Sequence, residues 1–132
     1  MTGRRPRIGV GLYPTRAAPD VVRLAVTAEA LGYDRVWVTD SPVIWRELWV
    51  TLAAIAGRTE RVALGSAVTS GVTRHPAVTA SAALSLVELT GERFTPGLGN
   101  TSATNRWAKL LEGPNGRELV KFSGAGARSE QP

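Results

Sequence analysis

Two hydrophobic periods alternate along the chain. RIGVGLY (residues 7–13) sets Ile8, Val10 and Leu12 at every second position before Pro14, the pattern of a strand that meets a breaker. The spacing then lengthens. Val21, Leu24, Ala25, Ala28 and Leu31 recur at helical intervals, Pro19 and Asp20 suit a first turn, and Gly32 supplies a stop. DRVWVTD (34–40) predicts a second strand, and RELWVTLAAIAGRT (46–59) a second helix with Leu48, Leu52 and Ile55 aligned. RVALGSAV (61–68) predicts a third strand. Pro76 opens a third helix with Val78, Ala82, Leu86 and Leu89 on one stripe, and RFTPGLG (93–99) predicts a fourth strand.

The junctions into strands two, three and four resemble one another: Tyr33-Asp34-Arg35-Val36, Thr59-Glu60-Arg61-Val62 and Gly91-Glu92-Arg93-Phe94. Their arginines are 26 and then 32 residues apart, the length of a strand plus a crossover helix. The repeated unit is therefore βα, and its repetition with short connections predicts a parallel sheet of the α/β class. In such folds the loops after the strands gather on one face, and ligands bind there. On that face the order of elements places Tyr13 and Pro14, Asp40 and Ser41, residues 68–75, and Gly99 with Asn100.

Composition narrows the chemistry. A chain of 132 residues with 43% hydrophobic content suits one globular domain. No apolar run is long enough for a membrane span or a signal peptide, so a cytoplasmic protein without membrane association is expected. There is no cysteine and one histidine, which argues against a thiolate or histidine-rich metal site. The net charge of +5 is concentrated at the ends: residues 1–19 carry +4, residues 100–132 carry +2, and residues 20–99 carry −1. A nearly neutral centre between a basic arm (1–6) and a basic tail argues against nucleic-acid binding.

Each candidate has two readings. Asp40, before Ser41-Pro42, serves either as a hydrogen-bond acceptor for a ligand or as an ordinary turn former. His75 precedes Pro76, so it either caps the third helix or touches a ligand. Arg74 either holds an anion near that helix start or is a solvated cation. GLGNTS (97–102) allows close backbone approach but matches neither a P-loop nor a dinucleotide fingerprint.

Taken together, IGVGLYP, AEALGYDRVWVTD, WVTLAAIAGRTERVALGSAVTSGVTRHPAVTASAALSLVELTGERF and GLGN resemble the amino-terminal half of the luciferase-like monooxygenase and F420-dependent oxidoreductase family, particularly its methylenetetrahydromethanopterin-reductase-like members. The likeness runs from about residue 8 to residue 103. It implies a TIM-type (β/α)8 barrel that binds FMN or coenzyme F420 at its carboxyl face, with hydride or oxygen chemistry at the ring and a small-molecule substrate. By that resemblance Asp40 matches an acidic position near the ring. Ala67, Val68 and Thr69 match the place of a non-proline cis peptide that backs it. Gly97, Gly99 and Asn100 match the glycine-rich end of strand four.

The chain departs from the family in three ways. Members are about twice as long, Pro96 interrupts strand four, and the pattern dissolves after Asn100 into a tail (101–132) rich in glycine, serine and charge, expected to be poorly ordered. The expected architecture is a half-barrel over residues 7–100. Two functional expectations follow: an oxidoreductase whose site is completed by a homodimer or by a complementing second-half chain, or a truncated member with weak or no cofactor binding and no turnover.

Overall fold

The computed structural model describes residues 5–42 and 44–99. Strands β1 (Gly9–Leu12), β2 (Arg35–Val38), β3 (Ala63–Ser66) and β4 (Phe94–Thr95) alternate with helices α1 (Ala18–Ala30), α2 (Leu48–Ala56) and α3 (Pro76–Thr90). The strands lie in chain order and every pairing is parallel, as the βα repeat predicts. Val10, Val36, Leu64 and Phe94 align across the sheet, with Leu12, Val38 and Ser66 two residues further on. Alternation sends this set to the face covered by the helices. There Val36, Val38 and Leu64 meet Leu48, Leu52 and Ile55 of α2, Val21 and Ala25 of α1 and Leu86 of α3 in one core. Fully burying such an aliphatic side chain stabilises by roughly 1.5–3 kcal/mol. With three of them, α2 anchors the helical layer.

Two predicted stripes are corrected. On α3, Leu86 is buried, but Val78 and Leu89 are exposed, and Thr79, Leu86 and Thr90 face inward instead. Apolar residues occur on all sides of this helix, so their spacing does not select a face. On α1, Leu24 and Leu31 are likewise exposed while Val21, Ala25 and Ala28 are buried. The strand and helix limits are also shorter than predicted, because flanking polar residues are used as caps. Glu47 precedes α2 with its carboxylate accepting the Val50 amide at 2.8 Å, so the helix begins at Leu48. Gly91 closes α3 in the left-handed region at φ 57°, where a glycine carries no Cβ penalty.

The three acid–arginine junctions do different work. Asp34 accepts the Ile8 amide at 2.8 Å and the Arg5 guanidinium at 2.7 Å. At the second junction the acceptor is Glu29, from the last turn of α1, which gathers the amides of Glu60, Arg61 and Val62. Burial works to raise the Glu29 pKa, but the amides of Val62, Arg61 and Glu60 and the charge of Arg61 hold it below the ordinary value. At the third junction, Arg93 donates to the carbonyls of Thr90, Val62 and Thr59. Asp34 thus ties the start of β2 to the residue before β1, Glu29 ties the end of α1 to the run before β3, and Arg93 ties the start of β4 to that same run and to the end of α3.

The opposite face of the sheet carries Gly9, Gly11, Arg35, Trp37, Ala63, Gly65 and Thr95. A Cβ on Gly65 would collide with the six-membered ring of Trp37 and sit 2.9 Å from the Thr95 carbonyl oxygen. Glycine is what lets the indole lie there. Among the described residues no helix is long and apolar enough to cross a membrane, and no cluster of three or more metal-ligating side chains forms. Asn100 and the expected tail, 101–132, lie outside the described residues.

Candidate functional site

At the carboxyl ends of the strands the chain turns irregular, and the reason starts with Pro96. Without an amide hydrogen it cannot continue the ladder, and β4 stops at Thr95. Ser66 takes over: its hydroxyl donates to the Gly97 carbonyl at 3.0 Å and accepts the Gly97 amide at 2.8 Å. Pairing resumes at Thr69 and Leu98, one residue out of step with Gly65 and Thr95. The additional residue lies on the β3 side, so Ala67-Val68-Thr69 forms a bulge. The Ala67–Val68 peptide bond within it is cis.

The bulge is tied on both sides. The Ala67 amide donates to the Val38 carbonyl, the Thr69 amide to the Gly97 carbonyl, and the Gly99 amide to the Thr69 carbonyl, each at 2.9 Å. A Cβ on Gly97 would collide with the Ser66 carbonyl oxygen, and one on Gly99 would lie 2.9 Å from Val68 Cγ2. Both glycines are therefore required by the close approach of the 97–99 strand to the bulge.

Beside the bulge sits a charged network. The Asp40 carboxylate, whose side chain is only 2% exposed, accepts from the Thr69 hydroxyl at 2.6 Å and from Arg74 Nη1 at 2.6 Å. Arg74 reaches past it to Glu47 at 2.6 Å, so the residue that caps α2 is also the second anchor of the guanidinium. Burial works against the cation, but the hydrogen bonds and charges of Asp40 and then Glu47 outweigh it and raise the Arg74 pKa above that of a free arginine. The charge on Arg74 is permanent. The network joins the end of β2, the start of α2 and the loop after β3.

Of the residues singled out from sequence, Asp40, Val68, Thr69, Gly97 and Gly99 are thus brought together, with Ala67 in the same bulge. His75 is the N-cap of α3, its Nδ1 accepting the Ala77 amide at 3.2 Å. Between its two readings, the cap is the one realised. Arg74 is not a solvated cation: its side chain is 14% exposed and is paired with two carboxylates, Asp40 and Glu47, with the Thr69 and Thr73 hydroxyls also in reach. Glu47 escaped the sequence reading, which counted it within α2. On the rim, Tyr13 and Trp45 meet edge to face at 5.6 Å between ring centroids. The Trp45 and Arg46 amides hold this corner through the carbonyls of Ser41 and Pro14.

A parallel α/β sheet with polar groups, a bulge and an aromatic pair at the strands' carboxyl ends is an α/β architecture of the kind in which ligands bind outside that edge. The family is more particular: residues 5–110 match the luciferase-like monooxygenase family, and the chain belongs to it. It is 37% identical over 91 residues to a 5,10-methylenetetrahydromethanopterin reductase from Methanolobus tindarius, covering 69% of this chain and 28% of the reductase. An F420-dependent glucose-6-phosphate dehydrogenase from Amycolatopsis mediterranei is 36% identical over 117 residues, covering 83% and 34%. The coenzyme F420 dependent tetrahydromethanopterin reductase from Methanopyrus kandleri superposes with a TM-score of 0.70 at 26% identity, over 76% of this chain and 29% of that one. A type II Baeyer-Villiger monooxygenase from Pseudomonas putida, solved with FMN, shares the fold with a TM-score of 0.63 at 20% identity, over 80% and 31%. The chain spans about a third of the length of these curated relatives.

Proposed function

We propose that the chain forms four βα units of a (β/α)8 barrel, over residues 7–100, in an F420- or FMN-dependent luciferase-like oxidoreductase acting on a small molecule. The cofactor's ring then lies at the carboxyl ends of the strands, against Ala67, Val68 and Thr69, with Asp40, Gly97 and Gly99 around it. The observation that carries this reading is the bulge itself. Its backbone is held by Val38 of β2, by Gly97 and Gly99 beyond β4 and by the Asp40–Thr69–Arg74 network, and its Ala67–Val68 part stays partly exposed, where a planar ring can rest. Beside it Gly97 and Gly99 carry no side chain to obstruct such a ring, and Leu98 between them is exposed.

The bound cofactor would supply hydride transfer or oxygen activation at its ring. The residues of this chain supply position. Asp40 and Arg74 hold Thr69 in place, and with Glu47 the network sets two carboxylates against one guanidinium. Coenzyme F420 is favoured over FMN because relatives above 30% identity are named as F420-dependent enzymes.

One observation favours the rival reading of a member without turnover: the Asp40 carboxylate is engaged by Thr69 and Arg74 and has little capacity left for a ligand. Titrating the purified chain with F420 and with FMN, following fluorescence, separates the two. Saturable micromolar binding that Asp40→Ala weakens about tenfold or more supports the cofactor site. Absence of saturable binding of either compound establishes the rival.

A further inference from the structure

The face of the sheet turned away from the helices carries charge that the candidate site does not use. Its first layer is Gly9, Arg35 and Ala63, and its second is Gly11, Trp37, Gly65 and Thr95. The Arg35 guanidinium rests on the Trp37 ring, 4.9 Å from its centroid. An open cavity of about 470 Å³ surrounds them, lined also by Arg7, Arg61 and Asp34. Its charge is one-sided. Three arginines face one aspartate, and that carboxylate is already taken by Arg5 and by the Ile8 amide. Among the described residues neither Arg7 nor Arg35 forms an ion pair.

We propose that this face docks a second four-strand half whose sequence differs from this chain's and which sets a carboxylate against Arg35. The inference rests on the reading of the chain as four of eight barrel units. In a closed ring of eight strands each strand faces the fourth one on. Two copies of this chain closing about a twofold axis would put β2 opposite β2, and so Arg35 opposite Arg35. Guanidiniums brought together in a water-poor interior lose hydration and repel. The same place suits an acid. Barrel interiors are filled in layers by side chains from alternate strands. Here β2 supplies the bulk, while β1 and β3 supply glycine and alanine, which leaves room for a carboxylate to reach Arg35 from the facing strand.

The chain provides its own probe, because Arg35→Glu turns a second copy into an acidic partner. Sedimentation equilibrium is run on the full 132-residue chain, on Arg35→Glu and on their equimolar mixture, at low and high salt, with circular dichroism to check the fold. The expected result is a mixed dimer about tenfold tighter than either self-association, with that advantage reduced by salt. If Arg35→Glu does not fold, Arg35→Gln is used, and it should self-associate more tightly than the wild-type chain because the repulsion is gone. A wild-type homodimer as tight as the mixed pair, a mixture that forms no dimer, or an Arg35→Gln variant no stickier than wild type overturns the proposal. These readouts concern assembly alone, so loss of the F420 reading through failed cofactor titration leaves them standing, and their failure leaves that reading intact.

Discussion

Arg74→Met keeps most of the side-chain stem and removes the guanidinium that Asp40 depends on. The Asp40 side chain is 2% exposed and that of Arg74 14%, so the pair is shielded from water, whereas Glu47, at 45%, can turn to solvent once Arg74 is gone. Deleting one partner of a buried pair costs about 3–5 kcal/mol, because the other charge stays behind without compensation. Thr69 still donates to Asp40 after the substitution, which points to the lower end, about 3 kcal/mol. For a domain of this size that loss lowers Tm by roughly 12–20 °C. Asp40→Asn removes the stranded charge, so the double variant should recover about 1–2 kcal/mol relative to the sum of the two single losses. Urea unfolding of the four proteins, followed by far-UV circular dichroism, measures this directly. A surface ion pair would contribute only about 0–1 kcal/mol. If Arg74→Met lies within about 0.5 kcal/mol of wild type, or if the cycle is additive, the network is not the tie that its geometry suggests.

Three further outcomes are expected. The Glu29 pKa is lowered on folding, so its contribution is fully present above its unfolded value and lost as pH falls through its folded value; Glu29→Gln should cost about 1 kcal/mol near pH 7 and flatten the loss of stability as pH falls through the carboxylate range, read from urea midpoints across pH. Gly97→Ala should cost about 2–3 kcal/mol, because the new methyl meets the Ser66 backbone rather than a side chain that can rotate away; a thermal midpoint equal to that of wild type would contradict it. His75→Asn, which retains a capping acceptor, should be nearly neutral, while His75→Ala should cost about 1 kcal/mol, and neither should alter F420 or FMN affinity in a fluorescence titration.

The elements were legible because their apolar spacing is local. Leu48, Leu52 and Ile55 lie on one side of α2 by sequence and are fully buried in the structure. The face of α3 was not legible, since a helix with apolar residues all round takes its orientation from the sheet it meets, and Leu86 and Thr90 won over Val78 and Leu89. Within the site, His75 beside Pro76 announced its cap, and the family pattern pointed to the Ala67–Val68 bond. The partners of Arg74 were hidden. Asp40 lies 34 residues away and Glu47 lies 27 away, distances that no helical or strand period connects. The available signal was an arginine just ahead of a helix-opening proline with no acid near it in sequence. Gly97 was read as making room for a ligand, when the nearest thing it makes room for is the Ser66 carbonyl.

The coincidence of strand order with chain order has a consequence for how the molecule is made. Gly9 pairs with Arg35, Arg35 with Ala63, and Leu64 with Phe94, so every ladder joins a strand to the next one to leave the ribosome. Loop-closure entropy is then met in small, nearly equal instalments instead of one long-range step. Each new strand finds its neighbour already in place, and the junction carboxylates and guanidiniums of Asp34, Glu29 and Arg93 secure it on arrival. Assembly can run from the amino end, one unit at a time, while synthesis is still under way.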